Sequence, residues 1–453
     1  MAPLSLADAT AQLTAPGQPF EITTTLVHGV ETRVWRHAPA TLRQVLDLSL
    51  GHGARDFLVY EGRRLTFEEH YRAASTFARR LVDVGVGHGD RVVIAARNLP
   101  EWVIAFWGVV SIGAIAVPLN AWWSTDELAY GVSDSGSTVA VVDEERLERL
   151  RPSFDTLDFL SHVIVVSDDP ARPAELGAPH GRVSTTGFAE FLGAVAPDAT
   201  PPDASIDADD DATIFYTSGT TGRPKGAVGS HRNAIANMMN LFFGATRSTL
   251  RFGASDDSGP GSFLLSIPLF HATGCLAVMI VSAAAGNKII MSRRFDATQA
   301  LEIIERERVT AFGGVPTVVV QVLDHPDFAR FDTSSVNSVS YGGAPPPPDL
   351  ARRIRDAFPR ALPGNGYGLT ETSASIAGNQ GTDYLERPTS CGPVTPVSEA
   401  AIVPEDFEGD EPPADRPRGP DVVGELWLKG PGVVRGYWNR PDATAASFTR
   451  GWL

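Results

Sequence analysis

Between Thr213 and Gly226 the chain reads Thr-Ile-Phe-Tyr-Thr-Ser-Gly-Thr-Thr-Gly-Arg-Pro-Lys-Gly. A β-type run, Ile214 to Thr217, enters a loop with glycines at Gly219, Gly222 and Gly226. Hydroxyls stand at Thr217, Ser218, Thr220 and Thr221, and one ammonium at Lys225. Glycines let backbone N–H groups turn inward to an anion, hydroxyls add donors, and lysine adds charge. That is the composition of a phosphate-wrapping loop. It is not a Walker A motif, because Pro224 directly precedes the lysine and Gly226 follows it. It also lacks the G-x-G-x-x-G of a dinucleotide site. A plain surface loop is the bland alternative; a buried strand before it and Pro-Lys-Gly at its end argue against that.

Three further stretches hold groups that could do chemistry. PLFHATG (268–274) sets His271 after a strand-like run, YGGAP (341–345) is a small-residue corner, and NGYGLTET (365–372) carries Tyr367, Thr370 and Glu371. Alone, each has an ordinary reading. A Tyr-Gly pair is a turn, a Thr-Glu pair starts a helix, and a solitary histidine beside apolar residues is a core residue. No G-x-S-x-G elbow occurs, and neither Cys275 nor Cys391 has a basic, activating sequence context, so nothing indicates covalent catalysis.

In this order, the stretches resemble the adenylate-forming superfamily: acyl-CoA synthetases, firefly-type luciferases and the adenylation domains of peptide synthetases. YTSGTTGRPKG is similar to its signature loop, and AVPLN (116–120) and GELWLKGPGVVRGYW (424–438) are similar to further motifs. The likeness covers most of the chain. It implies that a carboxylate is joined to the α-phosphate of ATP, releasing pyrophosphate, and that the acyl group then passes to CoA. Such chemistry needs donors on the phosphates, a divalent cation and exclusion of water.

By the resemblance, Thr217, Ser218, Gly219, Thr220, Thr221, Gly222 and Lys225 hold the β- and γ-phosphates. Thr370 bonds the α-phosphate, and Glu371 with Thr217 holds Mg²⁺, a hard-oxygen role. Tyr367 stacks on adenine against a wall of Gly342, Gly343, Ala344 and Pro345. Asn365 reads the amino group, and Gly366 and Gly368 flank the ring. Glycines suit such a wall because a side chain would push the ring away. His271 falls at the acyl entrance, where substrate positioning is favoured over acid–base work.

Ala272, Thr273, Gly274, Gly313, Gly314, Gly343 and Ala374 are small residues near these motifs and leave volume for an acyl chain. No acidic residue stands ready for a substrate ammonium group, which favours fatty or aromatic acids over amino acids. The leading expectation is an ATP-dependent medium- or long-chain fatty acid–CoA ligase. An aryl-CoA ligase, an acyl-AMP ligase that does not use CoA, and a non-catalytic acyl- or nucleotide-binding module are the alternatives. Intact Lys225, Thr370 and Glu371 count against the last.

The elements that must position these groups alternate. Helical spacing marks Thr41 to Ser49 and Thr66 to Val84, and strands are expected at 57–60, 91–96, 138–143 and 162–167. The uncharged run from Trp102 to Leu119 reads as a helix, a break at Gly113 and a buried strand rather than a membrane span. Gly274 to Ala285, Gly286 and Lys288 to Met291 repeat that unit. The pattern predicts an α/β fold with two doubly wound lobes, about 30–200 and 213–382, joined by a Pro- and Asp-rich connection at 196–212. Short strands at 400–403 and 424–429 predict a small β-barrel over about 385–453. Together these form the large N-terminal domain of an adenylate-forming enzyme.

Composition sets the outer limits. The 453 residues are 43% hydrophobic and 20% charged, ample for a large core. A formal charge of −16 repels phosphate backbones and anionic lipid, so nucleic acid is not an expected partner and an anionic substrate needs its own local positive site. The expected partners are a small carboxylic acid, ATP and CoA, with a homodimer left open. Two distant cysteines make neither a disulfide framework nor a zinc site, and the first residues lack a secretory pattern, so a cytoplasmic protein is expected. In relatives a Thr-Gly-Asp motif, whose aspartate binds ribose, and a small domain of roughly a hundred residues follow the Gly451-Trp452 position. The expectation is therefore a chain that lacks the small C-terminal domain and is nearly inactive alone.

Overall fold

The computed structural model describes residues 4–167, 183–217, 222–253, 259–414, 419 and 421–453. The strands are β1 (Ile22–Val27), β2 (Val30–Trp35), β3 (Asp56–Tyr60), β4 (Arg63–Thr66), β5 (Arg91–Ala95), β6 (Ile115–Pro118), β7 (Val139–Asp143), β8 (His162–Val166) and β9 (Ser184–Gly187). There follow β10 (Asp211–Thr217), β11 (Lys225–Ser230), β12 (Ser262–Leu265), β13 (Lys288–Met291), β14 (Ala311–Gly314), β15 (Ser338–Gly342), β16 (Leu362–Tyr367), β17 (Ala377–Gln380), β18 (Glu399–Val403) and β19 (Glu425–Lys429).

They build two large sheets. Sheet one has seven strands in the order β11-β10-β6-β5-β7-β8-β9, parallel except for the β10–β11 hairpin. Sheet two has eight, β17-β16-β15-β14-β12-β13-β3-β4, parallel from β3 to β16 and antiparallel at both edges.

Both faces of sheet one are covered, as parallel sheets require. Along β5, Val92 and Ile94 enter the central core while Val93 and Ala95 enter an outer one. The central core lies between the sheets. It collects the helices Phe67–Asp83, Pro100–Val110 and His231–Phe252 together with Leu58 and Ile289 of sheet two. Helix Pro100–Val110 is buried on nearly every side, which explains why its sequence carries no polar face. Proline at its first position costs no hydrogen bond. The helix–glycine–strand reading of 102–119 therefore holds, and among the described residues no helix is long and apolar enough to cross a membrane.

Three expectations are corrected. The lobes are not consecutive stretches of chain: β3 and β4 belong to sheet two, and β10 and β11 extend sheet one through the Thr213–Ala116 pairing. Strand spacing along a sequence cannot report such exchange, because any buried apolar strand fits either sheet. The expected β-barrel is a two-stranded antiparallel sheet, β18–β19, among the described residues of that region. Glu399 and Ala400 of β18 and Glu425 and Leu426 of β19 are exposed. Lastly, the helix expected from Gly274 opens as a π-helix, Thr273–Met279, and becomes α-helical only at Ile280–Ala285. Short π-helical turns are frequent at functional sites.

Candidate functional site

The signature loop joins the two strands of the β10–β11 hairpin at the edge of sheet one. Thr217 and Lys225 are register partners at its base, and the Thr217 hydroxyl reaches the Lys225 carbonyl at 3.4 Å. Ser218, Gly219, Thr220 and Thr221 lie outside the described residues. The return limb is pinned: Tyr130 donates to the Pro224 carbonyl at 2.8 Å, and Arg223 lies over the Tyr130 ring at 5.2 Å. Behind it, Tyr216 and Arg440 converge on Asp134 at 2.8 and 2.7 Å. Gly222 has φ +120° with open space beside it, a conformation suited to glycine.

Glu371 comes from the other sheet. It lies on a 3₁₀ turn, Thr370–Thr372, just past the carboxyl end of β16. The Thr372 hydroxyl accepts from Leu369 N–H at 2.8 Å and locks the turn. Gly368 is obligatory, because a Cβ there would overlap the Ala374 carbonyl oxygen. Ser373 and Ala374 both hold positive φ, +55° and +85°, consecutive strain of the sort that clusters at active sites. Asn237, fully buried on the long helix, accepts from Ser375 N–H at 3.0 Å and donates to the Leu276 carbonyl of the π-helix at 3.1 Å.

The segment 431–438 stitches loop and turn together. Trp438 N–H donates to the Gly226 carbonyl at 2.7 Å, and Val434 N–H to the Glu371 carbonyl at 2.9 Å. Arg435 grips Asp211 with two bonds of 2.7 Å. At the centre stands Tyr437. Its hydroxyl donates to Glu371 Oε1 at 2.8 Å, and the Lys225 ammonium sits 4.4 Å from its ring centroid. Burial, and then the Glu371 charge, raise the Tyr437 pKa, so the phenol keeps the proton it donates. Lys225, Tyr437 and Glu371 thus form one chain of contacts between the two sheets. Lys225 and Glu371 were legible in the sequence; Tyr437 was not singled out, although it stands within a recognised motif.

The small-residue corner ends β15. Gly342 and Gly366 are register partners, as are Tyr341 and Asn365, and a Cβ on Gly342 would press on the Gly366 carbonyl at 2.6 Å. Gly343 turns at φ +76° into open space, and Ala344 and Pro345 are exposed. Tyr367 is half-buried at the end of β16, its pKa raised by burial. The corner and Tyr367 thus lie at the carboxyl ends of neighbouring parallel strands, where open α/β sheets bind ligands.

His271 stands apart from the Lys225–Tyr437–Glu371 chain. Its side chain is exposed, its ring lies 4.7 Å from Phe270 and 6.4 Å from Trp122, and the crowding protein around it lowers its pKa by desolvation. Ala272 is buried and Thr273 exposed at the start of the π-helix. Two glycines expected to leave acyl volume do something else. A Cβ on Gly274 would overlap the Pro268 carbonyl, and one on Gly313 the Ser340 carbonyl. Both are glycine so that backbones can approach. Gly314 is likewise filled on its Cβ side by Ser266 Oγ at 2.9 Å.

Residues 49–438 match the family described as AMP-binding enzyme. The chain belongs to that family. Its adenylate-forming character and its likeness to acyl-CoA ligases, expected from the motifs, are thereby established. This AMP-binding enzyme is 31% identical over 406 residues to a 4-coumarate–CoA ligase 2 of Oryza sativa subsp. japonica, covering 86% of this chain and 67% of that protein. It is 30% identical over 433 residues to a long-chain-fatty-acid–CoA ligase of Bacillus subtilis, covering 91% and 73% respectively. In three dimensions it is similar to the inhibitor-bound N-terminal domain of FACL13 from Mycobacterium tuberculosis, with a TM-score of 0.74 and 27% identity over 91% of this chain and 94% of that one. The two-lobed α/β architecture is therefore that of an adenylate-forming N-terminal domain.

Proposed function

We propose that this AMP-binding enzyme is a carboxylic acid–CoA ligase that activates an apolar acid, foremost a medium- or long-chain fatty acid, as its acyl-adenylate. The observation that carries the reading is the Lys225–Tyr437–Glu371 chain, which brings a cation to the ring and a carboxylate to the hydroxyl of one phenol. In-line attack of a carboxylate on the α-phosphate needs charge compensation on the leaving pyrophosphate, which Lys225 supplies with Ser218, Thr220 and Thr221. Thr370 donates to the α-phosphate.

The donor set suits Mg²⁺. Glu371 has one oxygen held by Tyr437 and a second free of that bond, and Mg²⁺ in nucleotide sites takes one or two carboxylates and completes its shell with phosphates and water. Glu371 and Thr217 would hold it, and it would neutralise charge developing on the phosphates. Tyr367 stacks on adenine, Gly342, Gly343, Ala344 and Pro345 form the facing wall, and Asn365 with Gly366 and Gly368 completes the cradle. His271, Ala272 and Thr273 line the approach of the acid. CoA then accepts the acyl group. A cytoplasmic place and a homodimer are consistent with this reading.

Likeness to the 4-coumarate–CoA ligase supports a second reading with an aryl acid in the same pocket. Pyrophosphate release across fatty and aryl acids, followed by trapping with CoA, separates the two. Release with no acid of either class would refute both.

A further inference from the structure

Three successive backbone carbonyls at the foot of the signature loop are each held by a different partner. Trp438 N–H donates to that of Gly226 at 2.7 Å, the Thr217 hydroxyl to that of Lys225 at 3.4 Å, and the Tyr130 hydroxyl to that of Pro224 at 2.8 Å. Thr217 and Trp438 stand in motifs that marked the site. Tyr130 comes from helix Thr125–Ser135, outside all of them. That helix is firmly placed. A Ser124–Glu127 capping box closes its start and Gly136, in the left-handed region, ends it. Gly131 lets it press on Leu119 and Trp123, where a Cβ would come within 3.0 Å of both side chains.

Tyr130 and Asp134 lie one turn apart on one face of this helix. The Asp134 side chain is 8% exposed and accepts from Arg440 at 2.7 Å and from Tyr216 at 2.8 Å, one oxygen to each. Arg440 also donates to the Tyr130 oxygen at 3.0 Å. A guanidinium can only donate, so the single phenolic proton is left to face the Pro224 carbonyl. Asp134 thus orients Arg440, Arg440 orients the phenol, and the phenol holds the loop. The Arg223 guanidinium, 5.2 Å from the Tyr130 ring centroid, adds a second contact on the same limb. Proline has no N–H and a fixed φ, and the peptide joining it to Lys225 is planar. A bond to the Pro224 carbonyl therefore sets the direction in which the Lys225 backbone leaves.

We propose that Tyr130 is a positioning residue for Lys225: its hydroxyl fixes the Pro224–Lys225 peptide and so aims the ammonium at the pyrophosphate end of ATP. This rests on the assignment of Lys225 to those phosphates above. The Lys225 ammonium has no ion pair among the described residues and lies 4.4 Å from the Tyr437 ring centroid. It is held by that ring and by its own backbone, so the setting of the backbone decides where the charge goes. AMP lacks the β- and γ-phosphates, and its affinity should not register the Tyr130 hydroxyl. A role in packing alone would weaken both nucleotides together.

Calorimetric titration of the 453-residue chain with ATP and with AMP, both in the presence of Mg²⁺, tests the assignment. Tyr130→Phe keeps the ring and should weaken ATP by about fivefold, the usual effect of losing one neutral hydrogen bond, with AMP unchanged to within about twofold. Tyr216→Phe also takes a hydroxyl from the cluster, but none from the Pro224 carbonyl. It should keep the wild-type ratio of ATP to AMP affinity, and the melting temperatures of both variants report any structural loss they share. An unchanged ratio in Tyr130→Phe, or the same change in Tyr216→Phe, overturns the assignment. Lys225→Ala separates it from the reading beneath it. A lowered ratio in Lys225→Ala with none in Tyr130→Phe would sink this inference alone. A ratio unchanged in Lys225→Ala would sink the phosphate role of Lys225, and the inference with it.

Discussion

Replacing Tyr437 with phenylalanine removes one hydroxyl and leaves the ring beneath Lys225. The bond lost is a 2.8 Å donation to a carboxylate. Hydrogen bonds to charged groups contribute about 1.5–3 kcal/mol, and Glu371, being half-buried, regains part of this from water. A net loss of about 1.4 kcal/mol, or tenfold in affinity, is expected. The assay is calorimetric titration with an acyl sulfamoyladenosine, a mimic of the adenylate, in the presence of Mg²⁺. Tyr437→Ala should do more harm, because it also empties the space against Phe448 and Val434 and abolishes the contact under Lys225. Truncations of buried aromatics cost about 3–5 kcal/mol in stability, so its melting point should fall while that of Tyr437→Phe stays close to wild type. A double-mutant cycle with Glu371→Gln should give a coupling of about 1 kcal/mol. Binding by Tyr437→Phe within twofold of wild type, or additive effects in the cycle, would refute the claim that the phenol sets the carboxylate.

Gly368→Ala should abolish binding of the same mimic, since the new methyl group overlaps the Ala374 carbonyl, whereas Gly343→Ala, strained only by its φ of +76°, should cost about 1 kcal/mol; equal effects in titration would contradict this. Asn237→Ala strands the Ser375 N–H and the Leu276 carbonyl, so thermal stability should drop by about 1–3 kcal/mol per group and mimic binding should weaken with it. Stability should also fall on acidification. His70 and His231 are buried neutral, with pKa values lowered by desolvation to about 3 and about 4. Unfolded histidines bind protons near pH 6.5 and these do not, so stability is complete above that pH and declines as pH falls toward about 4. Urea unfolding at pH 7 and pH 5 measures the slope, and His70→Leu should flatten it; an unchanged slope would show that His70 is not the group concerned.

Local chemistry was the legible part of the sequence. The signature loop was legible from its glycines, hydroxyls and lysine, whereas the Gly-Gly corner and the Thr-Glu turn, ordinary when taken alone, were legible only through their order in the family resemblance. The strands β5, β7, β8 and β13 were legible as short apolar runs with clear ends. What escaped was pairing at long range. Tyr437 meets Glu371 across 66 residues, and no periodicity links them. The exchange of β3 and β10 between sheets leaves no mark on their own residues. Gly274 and Gly313 show the reverse error: small residues near a site suggested volume, but the space is taken by the Pro268 and Ser340 carbonyls. Asn237, a polar residue on a buried helix, was the one overlooked signal within reach, because a buried amide must find partners.

The most direct test is a single-turnover reaction with enzyme in excess over ATP and Mg²⁺, with each acid in turn, and acyl-AMP detected by mass spectrometry. The account predicts acyl-AMP from apolar acids, and its loss in Lys225→Ala and Glu371→Ala. No acyl-AMP from any fatty or aryl acid, or equal yields from the wild type and both variants, would contradict it.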